Sequence, residues 1–442
     1  MIKTQVCIIG AGAGGIGCAY SLIKNGIDTV IIDKNPDFGG TMVFSGVDGW
    51  EPGVSLDGLH QELYERMSEM NNGCHVVSQV PNDFIFTRSD ATGWDGKYSF
   101  EKYPWALALK SSHSYDYTLK RVPYRFSARL QFEPCAMTHA INDALSPYKN
   151  HLTTLFGYKY VSCRCDSKKI TSVTVSNETE AEEISADIFI DATGDIVLAR
   201  DAGCAFTIGS EGKNEYNEPS AKDKNNVINA VSYVFRISKV ADCAHIDPIP
   251  PEYASILDED TVQHLRRRVS YVVEYPNGDF NVNMLPTMSG KEYLFLGENA
   301  DRVGHAMVWA YWNHLQTHCD MQGYTLVHIY DAGIRESYRL IGKYVLKEQD
   351  LRAGKPMALQ TQKVVAVADH AMDIHGEGAM GKELDAPYEI PIECTMANEF
   401  DNLFVCCRGS SFSHIAASSV RLTRTMLSMG EGVGEHIALL LS

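Results

Sequence analysis

Residues 4–33 read TQVCIIGAGAGGIGCAYSLIKNGIDTVIID, and this stretch decides the fold. The β-branched run over 4–9 predicts a buried strand, and residues 13–25 have the apolar spacing of a helix that ends at Gly26. The apolar run over 28–33 predicts a second strand. A strand, a helix and a second strand in this order form the βαβ unit of a doubly wound α/β fold.

The loop between the first strand and the helix has the glycine pattern GxGxxG at Gly10, Gly12 and Gly15. The first glycine permits a tight turn, the second lets the backbone approach a pyrophosphate, and the third allows close packing of helix on strand. Asp33 ends the second strand, where a carboxylate can accept hydrogen bonds from ribose hydroxyls. The pattern in this context predicts a dinucleotide site. The second match, at 376–381, follows no apolar strand and is predicted to be a loop.

Three further features favour FAD over NAD as the dinucleotide. The paired Gly39-Gly40 suits a backbone that passes close to a cofactor, and a buried strand ends in the small-residue turn at 191–195. The strand at 403–407 opens into the Ser/Gly-rich residues 408–411 and then a helix. A helix N-terminus aimed at a flavin would stabilise negative charge on the reduced ring.

The segments GAGAGG, DKNPDFGG, IDATGD and NLFVCCRGSSFSH together resemble the FAD-dependent oxidoreductase family of glutathione-reductase-like flavoproteins. The segments RESYR, LIGKYVL and, more weakly, DIHG are similar to internal blocks of that family. The resemblance implies an α/β protein in which a Rossmann-like FAD-binding domain is built from discontinuous segments, with an intertwined mixed-sheet substrate domain. The TMVFSG run after Gly40 has no histidine or cysteine, which favours non-covalent FAD.

The chain departs from this family in its last helix, where Gly430-Glu431-Gly432-Val433-Gly434-Glu435 replaces a run with uncharged residues between the glycines. We expect the two carboxylates to place unusual charge near the dinucleotide.

The resemblance and the composition together predict two intertwined domains. The FAD-binding domain is predicted to comprise residues 1–50, 126–205 and 385–442. The substrate or cap domain is predicted to comprise residues 51–125 and 206–384.

Further elements follow from local patterns. Asn277-Gly278 between two apolar alternating runs predicts a β-hairpin. Helices are predicted over 259–268, 301–321 and 350–373, and a terminal helix from about residue 414.

The residues that we predict to bind the cofactor belong to the glycine loop, the segment after Asp33, the turn after the 180–190 strand and the C-terminal block. They are Gly10, Gly12, Ala13, Gly14, Gly15, Asp33, Lys34, Gly39, Gly40, Thr41, Thr193, Gly194, Asp195, Arg408, Ser411 and Arg421.

The catalytic candidates include His414, which opens the terminal helix where the flavin ring is expected, and which alternatively only caps that helix. Arg335 and Arg339 are four residues apart, so we expect them to share one helix face. This pair would clamp a substrate carboxylate or bridge the two domains.

Asp373 and His375 are two residues apart, so a strand or loop could direct both side chains to the same side. A carboxylate that orients a histidine is a common general-base arrangement, and structural hydrogen bonding is the alternative. Arg421 would contact flavin or substrate, or form an interdomain ion pair. Cys135, Cys406 and Cys407 lack the CxxC spacing of a dithiol enzyme and are predicted to be buried small apolar residues.

The composition limits the partners and the location. A formal net charge of −17 argues against binding to nucleic acid. No stretch approaches the roughly 18 apolar residues of a membrane span. The 12 cysteines, several of them inside apolar runs, suggest a reducing, cytoplasmic location rather than a disulfide framework. No metal site is expected, and a homo-oligomer is left open.

We therefore predict an FAD-dependent dehydrogenase or oxidase that moves a hydride from a small organic substrate to flavin. The tyrosines, tryptophans and histidines between residues 270 and 330 favour a polar cyclic substrate. The alternatives are a flavoprotein that uses FAD structurally or without redox chemistry, and an NAD-linked dehydrogenase.

Overall fold

The computed structural model describes most of the chain apart from one long segment and several short ones. The described residues are 1–51, 53–54, 58–78, 80–81, 128–223, 226–240, 244–257, 270–284, 286–319, 321–359 and 363–442. The predicted helix at 259–268 and much of the predicted cap segment 51–125 lie outside these residues.

Strands and helices alternate along the described residues, as in α/β proteins. The strands are β1 (Ile2–Ile9), β2 (Thr29–Asp33), β3 (Gly49–Trp50), β4 (Cys74–Ser78), β5 (Val80–Pro81), β6 (Ala128–Phe132), β7 (Leu152–Phe156), β8 (Lys159–Asp166), β9 (Lys169–Ser176), β10 (Ala181–Asp191), β11 (Phe206–Ile208), β12 (Val231–Ser232), β13 (Val234–Lys239), β14 (Ser270–Glu274), β15 (Phe280–Met284), β16 (Tyr324–Ile329), β17 (Gly333–Ile334), β18 (Tyr338–Leu340), β19 (Val364–Ala368), β20 (Met372–Ile374), β21 (Met380–Lys382), β22 (Tyr388–Pro391) and β23 (Leu403–Val405).

The α-helices are α1 (Ala13–Lys24), α2 (Thr41–Phe44), α3 (Leu59–Glu69), α4 (Pro134–Leu145), α5 (Val197–Asp201), α6 (Lys213–Tyr216), α7 (Pro251–Ala254), α8 (Gly290–Leu296), α9 (Ala300–His318), α10 (Glu348–Ala353), α11 (His414–Val420) and α12 (Thr423–Leu441). Short 3-10 helices cover Ser146–His151, Gly297–Asn299 and Ile392–Cys394.

The largest sheet is mixed and contains the predicted βαβ unit. Its order is β7-β2-β1-β10-β9-β8, with β23 beside β10. The strands β7, β2, β1, β10 and β23 are parallel, whereas β8, β9 and the first half of β10 form an antiparallel meander. The strand β10 therefore joins both parts, because residues 181–185 pair with β9 and residues 189–191 pair with β23. This topology confirms the predicted α/β class.

Helices α1 and α12 cross at very short distance on one face of this sheet. A Cβ added to Gly17 would lie 2.2 Å from the Leu427 carbonyl oxygen, and one added to Gly430 would lie 2.3 Å from the Gly14 carbonyl oxygen. Only glycine permits such a crossing. The glycines of the last helix therefore support the glycine loop from behind.

The two carboxylates of that helix point elsewhere, contrary to our expectation. Glu431 Oε1 accepts a hydrogen bond from the Leu59 N–H at 3.0 Å, at the start of α3. Glu435 pairs with Lys363 at 3.3 Å. The reason is geometric: the face of α12 that meets α1 carries Gly430 and Gly434, and Gly432 packs on Val365 of β19, so the two carboxylates project to other neighbours.

A second, antiparallel sheet has the order β16-β13-β15-β14-β5 and is covered by α9. Trp312 and Tyr311 of α9 pack with Phe235 and Val272 of the sheet. The hairpin predicted at Asn277-Gly278 connects β14 to β15. The helix predicted at 301–321 is α9.

Two element predictions are wrong. Within 350–373, the residues that the structure describes are helical only to Ala353, after which Gly354 ends α10 with a φ of +75°. The following KVVAVA run alternates β-branched residues and forms β19. The terminal helix is divided at Arg421-Leu422 into α11 and α12 because Leu422 is extended.

Candidate functional site

A cavity of about 640 Å³ opens at the carboxyl ends of β1, β2 and β10. In doubly wound sheets this edge is where ligands bind. Most of the predicted cofactor residues line it: Gly10, Gly12, Ala13, Gly14, Asp33, Lys34, Gly40, Thr41, Thr193, Gly194, Asp195, Arg408 and Arg421.

The other three predicted cofactor residues support this wall from behind. A Cβ on Gly15 would lie 1.9 Å from the Gly10 carbonyl oxygen, which is the close packing expected of the third glycine. The Gly39 N–H donates to the Ala11 carbonyl at 3.1 Å. Ser411 is fully buried, and its Oγ accepts from the Gly342 N–H at 2.9 Å.

The glycine loop fits a bound pyrophosphate. Gly10 has a φ of +108°, and a Cβ there would lie 2.4 Å from the Ala192 carbonyl oxygen. Gly12 differs, because a Cβ there would meet no protein atom closer than Gly40 Cα at 3.9 Å. Protein packing therefore does not require a glycine at 12, and its absent side chain leaves backbone exposed to the cavity at the start of α1. This is the arrangement that a phosphate group needs.

Asp33 lines the cavity and also accepts hydrogen bonds from the backbone. Its Oδ2 accepts from the Ala11 N–H at 2.6 Å, and its Oδ1 accepts from the Asn35 N–H at 2.8 Å. Each carboxylate oxygen has a second lone pair. Asp33 can therefore hold the glycine loop and still accept from a ribose hydroxyl.

The turn after β10 is held by the fully buried Asp191, which accepts from Thr193 Oγ1 at 2.7 Å and from the Ala199 N–H at 3.0 Å. Burial raises the pKa of this carboxyl, and these donors act in the opposite direction. At the cavity, Arg408 Nη2 donates to Asp195 Oδ1 at 2.8 Å. The turn thus links the middle segment to the C-terminal block.

Asp373 and His375 lie together on the wall of the same cavity. His375 Nε2 is 2.7 Å from Asp373 Oδ2, and Arg421 Nη2 donates to that same oxygen at 3.2 Å. Burial opposes the charge of Asp373, but the bond from His375 and the charge of Arg421 lower the pKa of its carboxyl. The pKa of His375 is lowered by burial, against the effect of Asp373 and with the effect of Arg335. A neutral imidazole oriented by a carboxylate can accept a proton.

The prediction that Arg335 and Arg339 share a helix face is wrong. Arg335 follows β17 and lines the cavity, where its Nη1 donates to the Ala230 carbonyl and to Ser232 Oγ, both at 2.9 Å. Arg339 lies in β18, which pairs with β11, and is fully buried. A spacing of four residues places side chains together only in a helix, and this segment is extended.

Arg339 belongs to a buried charge cluster rather than to the cavity. It forms ion pairs with Glu336 and, at 2.5 Å, with Glu211. His414 completes the cluster, with Nδ1 at 2.8 Å from Glu336 Oε2. Burial lowers the pKa of His414 to about 4, and the charge of Arg339 acts in the same direction.

His414 lines a second cavity, of about 260 Å³, together with Glu211 and Glu218. Its own N–H donates to Glu211 Oε2 at 2.8 Å, so the start of α11 faces a carboxylate. The helix that begins at the first cavity is α12, whose residues 422–424 line the wall. The sequence hides this start because Leu422 occupies the N-cap, where Ser, Thr, Asp or Asn is usual.

Several cavity residues come from segments without a motif and were missed by the sequence analysis. They include Trp50, Arg129, Asn281, Asn283, Asp301 and Asp331. One signal was present: Asn281 and Asn283 alternate with apolar residues in FNVNM, so both point to one face of β15.

The three cysteines of the sequence predictions differ in exposure. Cys406 and Cys407 are buried as predicted, whereas Cys135 is exposed. No group of three or more potential metal ligands is present among the residues described above. Within the same part of the chain, the structure contains no helix with the length and apolar character needed to traverse a bilayer.

Comparisons with known proteins give the following likenesses. The chain is 32% identical over 93 residues to the putative oxidoreductase AegA of Escherichia coli (strain K12), covering 20% of this chain and 14% of that protein. It is 32% identical over 88 residues to the small chain of NADPH glutamate synthase of Halomonas elongata, covering 20% of this chain and 18% of that protein. The chain thus spans less than a fifth of the length of these two curated relatives.

Solved structures to which the chain is similar include a geranylgeranyl bacteriochlorophyll reductase-like protein from Thermoplasma acidophilum. It has 11% identity and a TM-score of 0.47, over 100% of this chain and 79% of that chain. Another is L-proline dehydrogenase from P. horikoshii, with 12% identity and a TM-score of 0.39, over 100% of this chain and 94% of that chain.

A family model described as FAD dependent oxidoreductase matches residues 5–442. The match includes the glycine loop, the turn after β10 and the C-terminal helices that line the first cavity. The chain therefore belongs to the FAD dependent oxidoreductase family, which confirms FAD as the predicted cofactor.

Proposed function

We propose that the protein is an FAD-dependent dehydrogenase or oxidase that takes a hydride and a proton from a small organic substrate. The observation that supports this most directly is that the Asp373–His375 pair lies on the wall of the cavity that the glycine loop also lines. FAD would supply the two-electron acceptor, and the residues of this chain would bind the substrate and take its proton.

His375 is the proposed proton acceptor. Its pKa lies below the ordinary value of 6.5, so the imidazole is neutral at neutral pH. Asp373 holds Nε2 at 2.7 Å and would stabilise the positive charge that follows proton uptake. Because the two ring nitrogens are distinct, the bond at Nε2 leaves Nδ1 as the atom that would accept the proton.

The remaining polar wall would bind and orient the substrate. Arg335 and Arg421 border His375, and Asn281 and Asn283 come from the second sheet. Guanidinium and amide groups in one cavity suit a substrate with several oxygen atoms. A polar cyclic metabolite remains our proposed substrate class.

The alternative of a structural flavin rested on the carboxylates of the last helix. Glu431 and Glu435 have other partners, so this reason no longer favours it.

The test is anaerobic mixing of the FAD-loaded protein with sugars, amines and hydroxy acids, followed by visible absorbance. We expect at least one donor to bleach the flavin, and His375→Asn to slow that bleaching. A flavin that no donor bleaches would support the structural alternative. The NAD-linked alternative is not retained, because the chain belongs to the FAD dependent oxidoreductase family.

We also propose a cytoplasmic location, with no nucleic-acid partner and non-covalent FAD. The support is the net charge of −17 and the buried cysteines within apolar segments. The predicted two-domain division stays part of this proposal.

A further inference from the structure

The strand β20 separates the two cavities. Asp373 and His375 line the first cavity, and Ile374 between them lines the second. This strand has three residues and pairs with β21 in a two-stranded sheet. So short a ladder gives little rigidity, and the placement of the Asp373–His375 pair needs other support.

That support comes from Asn229, which is 1% exposed. Its Nδ2 donates to the Asp373 carbonyl at 3.2 Å, and its Oδ1 accepts from the His375 N–H at 2.9 Å. One side-chain amide therefore pairs with the backbone on both sides of Ile374, as a neighbouring strand would. Next to it, the Ala230 N–H donates to the His375 carbonyl at 3.2 Å.

Asn229 is itself anchored to the buried charge cluster. Its N–H donates to Glu336 Oε2 at 2.8 Å, and Glu336 is held by Arg339 and His414. The contacts form a continuous path from the cluster through Asn229 to the backbone of residues 373–375.

We infer that Asn229 is a positioning residue for the Asp373–His375 pair, acting through the backbone of β20 and not by contact with substrate or cofactor. The inference rests on the proposed function of His375. Its physical basis is that the amide satisfies one partly buried backbone donor and one partly buried acceptor at once. Loss of the amide would remove the partner of the His375 N–H and leave the Asp373 carbonyl with only the 3.4 Å bond from Arg421 Nη2, so the strand would shift to find other partners.

The chain offers a matched control. Asn402 is 6% exposed and makes the same kind of clamp, because its Oδ1 accepts from the Ile170 N–H at 2.9 Å and its Nδ2 donates to the Ile170 carbonyl at 2.9 Å. It lies directly before β23, links β9 to β10 within the largest sheet, and does not line the first cavity. A merely structural amide would behave as Asn402 does.

The experiment compares Asn229→Leu with Asn402→Leu in the FAD-loaded protein. The imidazole of His375 is titrated by NMR, with its signal assigned by its loss in His375→Asn. The groups that face it are Asp373 beside it, Arg335 after β17 and Arg421 at the end of α11.

We expect Asn229→Leu to raise the pKa of His375 toward 6.5, because a displaced strand admits water to the ring. With a donor that bleaches the flavin, we expect the bleaching rate at saturating donor to fall at least roughly tenfold, because a small misplacement of a catalytic group is costly. Asn402→Leu should change neither quantity. If either leucine variant does not fold, Asn229→Ser and Asn402→Ser replace the pair.

An unchanged titration of His375 in the Asn229 variant would overturn the inference, as would an equal change in the Asn402 variant. The proposed function fails separately, if His375→Asn bleaches as fast as the unaltered protein. In that case the titration still decides whether Asn229 positions the pair.

Discussion

Two carboxylate–histidine pairs with nearly equal geometry have different surroundings in this protein. The His375 and Asp373 nitrogen–oxygen distance is 2.7 Å, and that of His414 and Glu336 is 2.8 Å. The side chains of the first pair are 21% and 23% exposed, and those of the second are 6% and 3% exposed. The first pair borders the cavity of the glycine loop, whereas the second is almost fully buried beside Arg339, where His414 borders only the smaller second cavity.

The difference shows that pairing does not identify a general base. Glu336 already neutralises Arg339 and accepts from the Asn229 N–H, so His414 completes a buried network. Asp373 is shared by His375 and Arg421 on an accessible wall. Access to a ligand, together with a histidine that can change its charge there, separates a reactive pair from a structural one.

The largest expected effect is a loss of stability when Arg339, the cation beside the buried His414–Glu336 pair, is removed. Arg339→Met leaves Glu336 and Glu211 buried without their cation, so we expect a loss of about 3–5 kcal/mol in the free energy of unfolding. Urea unfolding measures it. The matched control is Arg164→Met, because the Arg164 side chain that pairs with Glu183 is 74% exposed, and this change should cost less than about 1 kcal/mol. Equal losses in the two variants would contradict the structural role of the cluster.

The next effect is the dependence of stability on pH. The pKa of His414 is about 4 in the folded protein and 6.5 when exposed, so between these values the unfolded chain binds a proton that the folded chain does not. His414 therefore lowers stability as pH falls from 6.5 to 4, by about 3 kcal/mol at most. Urea unfolding of His414→Gln at several pH values should show a flatter profile. Profiles of equal slope would refute this assignment.

A third test replaces His375 and His414 in turn and measures the rate of flavin bleaching in each variant. His375→Asn should slow flavin bleaching by a donor roughly 100-fold and leave the free energy of unfolding almost unchanged. His414→Asn should destabilise the fold and slow bleaching less. Stopped-flow absorbance and urea unfolding of both variants provide the measurements. The distinction between the pairs would be lost if His414→Asn slowed bleaching more.

The smallest effect is the position of the acid limb of activity. Burial lowers the pKa of His375 below 6.5, and the base works only when neutral, so bleaching should slow as pH falls through a value below 6.5. His414→Gln should keep this limb in place, because His414 does not border the first cavity. The pH dependence of the bleaching rate tests this, and a limb that moves with His414 would count against the assignment.

The features that could be predicted from the sequence are those set by short spacing. Gly10, Gly12 and Gly15 lie in the loop after β1 and the first turn of α1, and Asp373 in β20 is two residues from His375, which directly follows that strand, so local geometry brings each group together. The glycine loop alone predicted only a dinucleotide, and the Gly39-Gly40 pair, the turn at 191–195 and the C-terminal block favoured FAD. The family match confirms FAD.

Other features depended on distant partners. Arg335 and Arg339 separated because Tyr338–Leu340 pairs with β11, a contact that a spacing of four residues does not reveal. His414 was predicted to lie at the flavin, but it lines the second cavity because Glu211 and Glu336 hold it there. Arg129 reaches the cavity from a segment without a recognisable pattern.

The close packing of Gly14 on Cys406 has a consequence for synthesis of the chain. The Gly14 carbonyl and Cys406 Sγ are 392 residues apart in sequence and 4.0 Å apart in space. A nascent chain on the ribosome therefore has its glycine loop early and lacks the opposite wall until translation reaches β23. Such long-range closure makes folding slow and leaves an apolar sheet edge open meanwhile. We therefore expect FAD capture to follow the docking of the C-terminal helices.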